Sequence, residues 1–303
     1  MNLYLKYRPD TLEGIRGNPE LVSTLEAMLK DPTTCPHSFL LHGPTGCGKT
    51  TIGRIIALRL GCKGNDFREV DSADFRGIDT IREIRKQSQF KSLEGPCRVW
   101  LIDECHKMTN DAQNALLKIL EDTPRHIYFV LCTTEPHRLI PTIRGRCSQF
   151  QVNPLSERQM TSLLHHIVQA EGQTLEKEVY EQIIQDSFGL PRNALQTLDQ
   201  VLRVDPDKRL EMARRSAEEQ SESIELCRLL LTKTGWKPVA KILDGLKDQE
   251  PESIRRHVMA YCQSVLLKGD NDRAGLVLEQ FLEPLYNTGF PGLVYACYSI
   301  IKS

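Results

Sequence analysis

The chain has 303 residues, with 39 Lys and Arg against 40 Asp and Glu, and 40% of it is hydrophobic. That length allows two or three domains with a sizeable core, in an ordinary globular composition. A formal net charge of −1 excludes a general attraction to nucleic acid, so any such contact must come from a local basic patch. No apolar run is long enough to cross a bilayer, and Met1 to Pro9 lacks the apolar core of a signal peptide. A cytoplasmic location without a membrane partner is expected, or a nuclear one in a eukaryote. The ten cysteines form no CxxC pair, and several, such as Cys132, sit in apolar runs. Buried reduced thiols are therefore expected, with neither a zinc site nor a disulfide framework.

Residues 1 to about 150 alternate strand-like and helix-like segments. The pattern predicts strands at Phe39–His42, Arg68–Asp71, Val99–Ile102, Ile127–Cys132 and Gln149–Val152. Between them the periodicity predicts helices at Glu20–Lys30, Thr51–Leu60, Ile78–Gln89 and Asp111–Glu121. Such alternation argues an α/β fold with a parallel sheet covered on both faces. Asn110 with Gln113 reads as a capping box for the helix at Asp111–Glu121, and Pro124 closes its far end. Its apolar stripe is Ala112, Ala115, Leu116, Ile119 and Leu120, with Asn114 and Lys118 on the other side.

After Asn153-Pro154-Leu155 the strand pattern stops. Residues 156–203 predict three short helices, broken near Glu171-Gly172 and at Gly189-Leu190-Pro191. A charged stretch, Asp205 to Glu219, precedes a helical region from Ser221 to Ser303, broken by Gly235, Pro251, Gly269 and Gly289-Phe290-Pro291. The expected domains are 1–153, a P-loop core; 154–204, a helical lid; and 205–303, an all-α domain.

Gly43-Pro44-Thr45-Gly46-Cys47-Gly48-Lys49-Thr50 fits the P-loop pattern, and Thr51 follows directly. Glycines let backbone N–H groups turn inward around phosphate oxygens, and the following helix points its N-terminus at them. In this pattern Lys49 reaches the β- and γ-phosphates of ATP, and the Thr50 hydroxyl holds Mg²⁺. Val99-Trp100-Leu101-Ile102-Asp103-Glu104 is an apolar strand ending in two acids, as a Walker B element requires. Asp103 would support Mg²⁺ and Glu104 would activate the attacking water. A neighbouring strand at Ile127–Cys132 would bring Thr134 near the γ-phosphate; a Thr that merely caps a turn fits the same position.

These motifs together resemble the AAA+ ATPases of sliding-clamp loaders, such as the small subunits of replication factor C and their phage and bacterial counterparts. Tyr7-Arg8-Pro9 is similar to the family's N-terminal Tyr-Arg-Pro, and Gly14–Asn18, including Ile15, to its Val-Val-Gly-Gln segment. Asp71–Ile78 resembles its Ser-Asp-x-Arg-Gly-Ile stretch, and Ala112–Leu116 its Ala-Gln-Asn-Ala-Leu helix. Thr133-Thr134 resembles sensor 1, Gly145-Arg146-Cys147 a Ser-Arg-Cys motif, and Gly189–Leu195 sensor 2. The resemblance implies nucleotide contacts from Tyr7, Arg8, Pro9, Ile15 and the P-loop, and from Arg192 as sensor 2. It implies that Arg146 is an arginine finger acting in trans on a neighbouring subunit's ATP, which favours an oligomer. In the family the last domain is a collar that closes five subunits into a ring, whose partners are the sliding clamp and primer–template DNA.

Two departures are visible. Gly145 replaces the motif's serine. Only Cys62 and Cys97 stand where bacterial motor subunits carry a four-cysteine zinc module between P-loop and Walker B, which suggests the phage, archaeal and eukaryotic small subunits instead. Arg82, Arg85 and Lys86, flanked by Arg76 and Lys91, give one helix a basic face for a phosphate backbone. The same face reads equally as solvated charge paired with Asp79 and Glu83. Thr109 and Lys118 are weaker DNA candidates from the next helix. The expected function is clamp loading by a DNA-dependent ATPase. Its competitors are another AAA+ DNA motor, for branch migration or at replication forks, and a non-catalytic scaffold subunit.

Overall fold

The computed structural model describes residues 2–31, 34–72, 77–220, 222–232, 234–247, 249, 251–267 and 269–302. Arg76 lies outside the described residues. Among the described residues, no helix is long and apolar enough to cross a membrane. The elements of the first part are α1 (Leu3–Lys6), α2 (Pro19–Leu29), β1 (Ser38–His42), α3 (Lys49–Arg59), β2 (Phe67–Asp71), α4 (Ile78–Ser88), β3 (Arg98–Asp103), α5 (Asn110–Glu121), β4 (Ile127–Thr133), α6 (Pro141–Arg146) and β5 (Ser148–Gln151). The second part is helical: α7 (Glu157–Ala170), α8 (Lys177–Ser187), α9 (Pro191–Val201), α10 (Arg209–Gln220), α11 (Glu222–Leu231), α12 (Trp236–Gly245), α13 (Pro251–Leu266), α14 (Asp272–Gln280) and α15 (Gly289–Lys302).

The chain divides into two compact units. One comprises Tyr4–Gln159 with Leu190–Arg192, the other Met1–Leu3, Met160–Gly189 and Asn193–Ser303. The first unit is built on a five-stranded sheet of order β2-β3-β4-β1-β5, every pairing parallel. β1, β3 and β4 are buried almost throughout, because helices cover both faces. Successive side chains of a strand point to opposite faces, and the two cores follow that alternation. Along β4, Ile127, Phe129 and Leu131 join Ile81, Ile84, Leu116 and Ile143, from α4, α5 and α6. Tyr128, Val130 and Cys132 join Leu25, Ile52, Ile55 and Ile56, from α2 and α3. Gly53 lets α3 lie against the sheet: a Cβ there would stand 2.6 Å from Leu101 Cδ1 and 3.0 Å from Val130 Cγ1.

In the helical unit, the apolar faces of α11 to α15 meet in one core that includes Leu226, Cys227, Val258, Phe281, Leu293 and Ile300. The charged stretch from Asp205 is itself largely helical, as α10. Pro251 opens α13 and Pro291 falls in the first turn of α15, where a missing N–H costs no intrahelical bond. All ten cysteines are free and buried. Burial, with a contribution from Asp31, pushes the Cys35 thiol up to about 11, and burial pushes Cys147 up to about 12.

The predicted Asn110–Gln113 capping box does not form. Thr109 is the N-cap of α5, its Oγ1 accepting from the Ala112 N–H at 3.2 Å. A reciprocal partner would have to sit at Ala112, the third helical position, which has no polar side chain. Gln113 is buried instead, with other bonds to make.

Candidate nucleotide site

The P-loop joins β1 to the N-terminus of α3, so the loop's backbone and the helix end face one cleft. Gly43 is confined there: a Cβ would stand 2.2 Å from the Val152 carbonyl oxygen, at a φ of 152°. The cleft, about 60 Å³, is lined by Thr45, Gly46, Gly48, Lys49, Thr50, Thr51, Asp103, Glu104 and Arg192. Lys49 is buried, its ammonium donating to the carbonyls of Gly43 and Pro44 at 2.9 Å each. Pro44 thus shapes the site through its carbonyl, and Cys47 is a buried member of the core beneath.

Parallel pairing ends β3 beside the P-loop strand's neighbour β4, and its two acids arrive at the carboxyl edge. Thr50 Oγ1 donates to Asp103 Oδ2 at 2.6 Å. Asp103 Oδ1 accepts from the Glu104 N–H at 2.9 Å. A hydroxyl and a carboxylate side by side, facing a phosphate-binding loop, form the all-oxygen donor set that Mg²⁺ takes while keeping several waters. Glu104 itself has a left-handed backbone (φ 46°, ψ 40°).

Positive charge gathers at the same cleft. Arg192 lines it, its backbone N–H 3.4 Å from the Gly46 carbonyl and its guanidinium 5.9 Å from the Tyr4 ring. Burial, then the neighbouring guanidiniums of Arg54 and Arg192, hold Arg8 below its ordinary value. The two guanidiniums act on Arg8 against the opposing carboxylate of Glu69. Arg54 already has one partner, Glu69, at 2.6 Å.

Other predicted residues lie apart from the cleft lining. Ile15 packs on the core of α2 and α3, and neither Tyr7 nor Pro9 lines the cleft. Thr134 is half-buried just past β4 and does not line it either; its neighbour Thr133 is fully buried. Arg146 ends α6 and is partly exposed, bonded to Glu121 at 2.6 Å. A surface pair of this kind contributes roughly 0–1 kcal/mol, so it is readily exchanged for another anion. Gly145 sits in α6 with open space where a Cβ would be.

Arg82, Arg85 and Lys118 come together with Asp111 and Asn114 around a groove of about 380 Å³ between α4 and α5. Lys86 is exposed but does not line it, and the Thr109 hydroxyl is engaged in capping. Arg82 also pairs with Asp79 at 2.9 Å, while Glu83 accepts from Gln87.

Two positioning side chains escaped the sequence reading. Gln113 donates to the carbonyls of Met108 and Arg138 and accepts from the Ile140 N–H at 2.9 Å, tying α5 to the segment before α6. Its helical spacing from Leu116 and Leu120 is the signal that a polar side chain faces the core. His106 is buried beside Glu104, and nothing in its local sequence marks it. Burial holds its imidazole below the ordinary value, outweighing the carboxylates of Glu104 and Glu135.

The family described as DNA polymerase III, delta subunit matches residues 66–156. The DNA polymerase III subunit gamma/tau of Mycobacterium tuberculosis is 35% identical over 225 residues, covering 67% of this chain and 39% of that protein. Replication factor C subunit 3 of Blastobotrys adeninivorans is 34% identical over 199 residues, covering 64% of this chain and 58% of that protein. The chain thus spans about two fifths of the gamma/tau relative. These bacterial and eukaryotic relatives are about equally identical to the chain. In fold, the chain is similar to RuvB, the Holliday junction branch migration motor of Thermotoga maritima, with a TM-score of 0.60 and 18% identity over 78% of this chain and 85% of that one. By sequence and by its P-loop sheet, the chain is a relative of the AAA+ clamp-loader subunits.

Proposed function

We propose that the chain is an ATPase subunit of a sliding-clamp loader. The observation that carries this reading is one cleft lined by Lys49, Thr50, Asp103, Glu104 and Arg192, in a chain related to clamp-loader subunits. Lys49 and the loop N–H groups would bind the triphosphate of ATP, with Arg192 on the γ-phosphate. Thr50 and Asp103 would hold Mg²⁺, which supplies charge neutralisation of the phosphates when bound. Glu104 would orient and deprotonate the attacking water, and Thr134 would report the state of the γ-phosphate. Tyr7, Arg8, Pro9 and Ile15 would border the nucleotide on the side of the N-terminal segment.

Arg146 is proposed to complete a neighbour's site, its exposed position leaving it available to another subunit. Arg82, Arg85 and Lys86, with Arg76, Thr109 and Lys118, would follow the backbone of primer–template DNA by charge and shape. The helices would serve as a lid over 154–204 and a collar over 205–303, closing a ring of five subunits in the cytoplasm, or the nucleus of a eukaryote. Binding of ATP would favour the assembly that holds an open clamp, and hydrolysis triggered by DNA would release it.

The test is ATP hydrolysis by the purified chain with and without companion subunits, clamp and primed DNA. Clamp and primed DNA together should raise the rate. A second reading, a DNA-translocating AAA+ motor, is favoured by the fold likeness to RuvB. It predicts ATP-driven strand movement on which the clamp has no effect. A scaffold role is disfavoured because Lys49, Thr50, Asp103 and Glu104 are all present.

A further inference from the structure

Glu104 leaves β3 in a backbone conformation that residues with a Cβ adopt only where their surroundings enforce it. Its carboxylate is not free to aim itself. Glu104 Oε2 lies 3.4 Å from Nδ1 of His106, a buried residue on the short 3-10 turn that follows. The same Nδ1 is 3.0 Å from Thr133 Oγ1, at the end of β4. On the far side of the ring, Nε2 is 3.3 Å from Glu135 Oε1. Glu135 is anchored in turn: its N–H donates to Thr133 Oγ1 at 3.0 Å, and its Oε2 accepts from Arg138 at 2.9 Å.

A carboxylate only accepts hydrogen bonds, and a neutral imidazole has one N–H to give. Glu104 and Glu135 therefore compete for the same ring proton. With the proton on Nδ1, the ring donates toward Glu104. With the proton on Nε2, the ring N–H faces Glu135 at 3.3 Å, and the Thr133 hydroxyl donates to Nδ1. We propose that His106 is a positioning residue of the hydrolytic site, sharing its ring between Glu104 and the end of β4, so that Thr133 and Glu135 set where the Glu104 carboxylate points. These contacts run from Glu104 through His106 and Glu135 to Arg138, in the segment that leads into α6. The inference rests on the reading of Glu104 as the water-activating group.

The test compares three substitutions in the full chain within its assembly, with ATP, clamp and primed DNA. His106→Ala removes both ring contacts, His106→Asn keeps a polar nitrogen near the position of Nδ1, and His106→Gln keeps one near Nε2. His106→Ala should lower kcat about 10- to 100-fold, as loss of an orienting partner does, with KM for ATP and the affinity for a fluorescent ATP analogue changed less than about twofold. His106→Asn should recover most of the loss and His106→Gln little of it. Should the alanine variant fail to fold, the Asn and Gln pair still decides. Equal rates for Asn and Gln, or a fall in nucleotide affinity that parallels the fall in kcat, would overturn the assignment.

A second readout is independent of turnover. The imidazole ¹⁵N resonances of His106 should shift on Glu104→Gln and again on Glu135→Gln; unmoved resonances would rule out the sharing. Glu104→Gln also separates the two readings. Parent-like turnover in that variant removes Glu104 as the base. An inactive Glu104→Gln beside a parent-like His106→Ala removes only the role of His106.

Discussion

At the carboxyl edge of its strands the sheet unit buries polar side chains to a different end from the helical unit, although at the start of β3 it too closes a buried ion pair, Arg98–Asp66 at 3.3 Å. In the sheet unit, Lys49, His106, Gln113 and Thr133 are buried at or beside the carboxyl edge of the strands, and the cleft there keeps Asp103 and Glu104 reachable. In the helical unit, buried charge is settled locally. Arg255 pairs with Glu252 at 2.7 Å and donates to the Phe281 carbonyl, while Glu252 also accepts from the Leu285 N–H. Arg228 meets Asp186 at 2.6 Å. A buried charge whose bonds close within its own unit holds a shape. Lys49 differs in lining an opening, although its ammonium is also bonded to carbonyls of its own unit.

Substitutions can break that contrast. Arg146→Ala should have the largest effect, slowing hydrolysis in the assembly about 10³- to 10⁵-fold while ATP binding to the chain stays nearly intact. Parent-like rates would remove the finger. Lys49→Ala should cost about 10²- to 10³-fold in turnover through lost phosphate stabilisation, with the melting temperature little changed. A collapse of the fold instead would mean that its bonds to Gly43 and Pro44 serve the scaffold.

Glu252→Gln should do the reverse, lowering stability by about 1.5–3 kcal/mol without altering the affinity of the sheet unit for an ATP analogue, as urea titration and nucleotide binding would show. The Arg255 hydrogen bond, aided by the Leu285 N–H and working against burial, holds Glu252 below the ordinary glutamate value. Its stabilisation is thus complete above the unfolded value and lost as pH falls through the lower folded one. Thermal melts in that acid range should decline less steeply for Glu252→Gln than for the parent. The smallest effect is Gly145→Ala, which should stabilise the chain by about 0.5–1 kcal/mol, because α6 loses a glycine and the space is open. Destabilisation would show that α6 needs that glycine.

Much of the sheet unit was legible because its signals are local. The strand-like segments matched all five strands to within a residue or two, and the glycine spacing before Lys49 named the loop. The carboxylates were found because they end an apolar strand. What escaped depends on contacts distant in sequence. Gln113 looked like a capping partner because its position relative to the helix start is visible, whereas its bonds to Arg138 and Ile140 are not. The short helix begun by Pro141, which carries Arg144 and Arg146, was not among the predicted helices. In the helical unit the sequence showed periodicity and breaks but no chemistry, since a core of Leu, Val and Ile reads alike in many bundles.

The bare position at Gly53 has a consequence of its own. It lies one turn along α3 from Lys49, with the strand of Asp103 directly underneath. A single methyl group added there would act as a wedge, tilting the near end of the rod off its bed. The Thr50 hydroxyl would rise away from the Asp103 carboxylate it now meets. The register of α3 against β3 is therefore guarded by a residue that has no side chain.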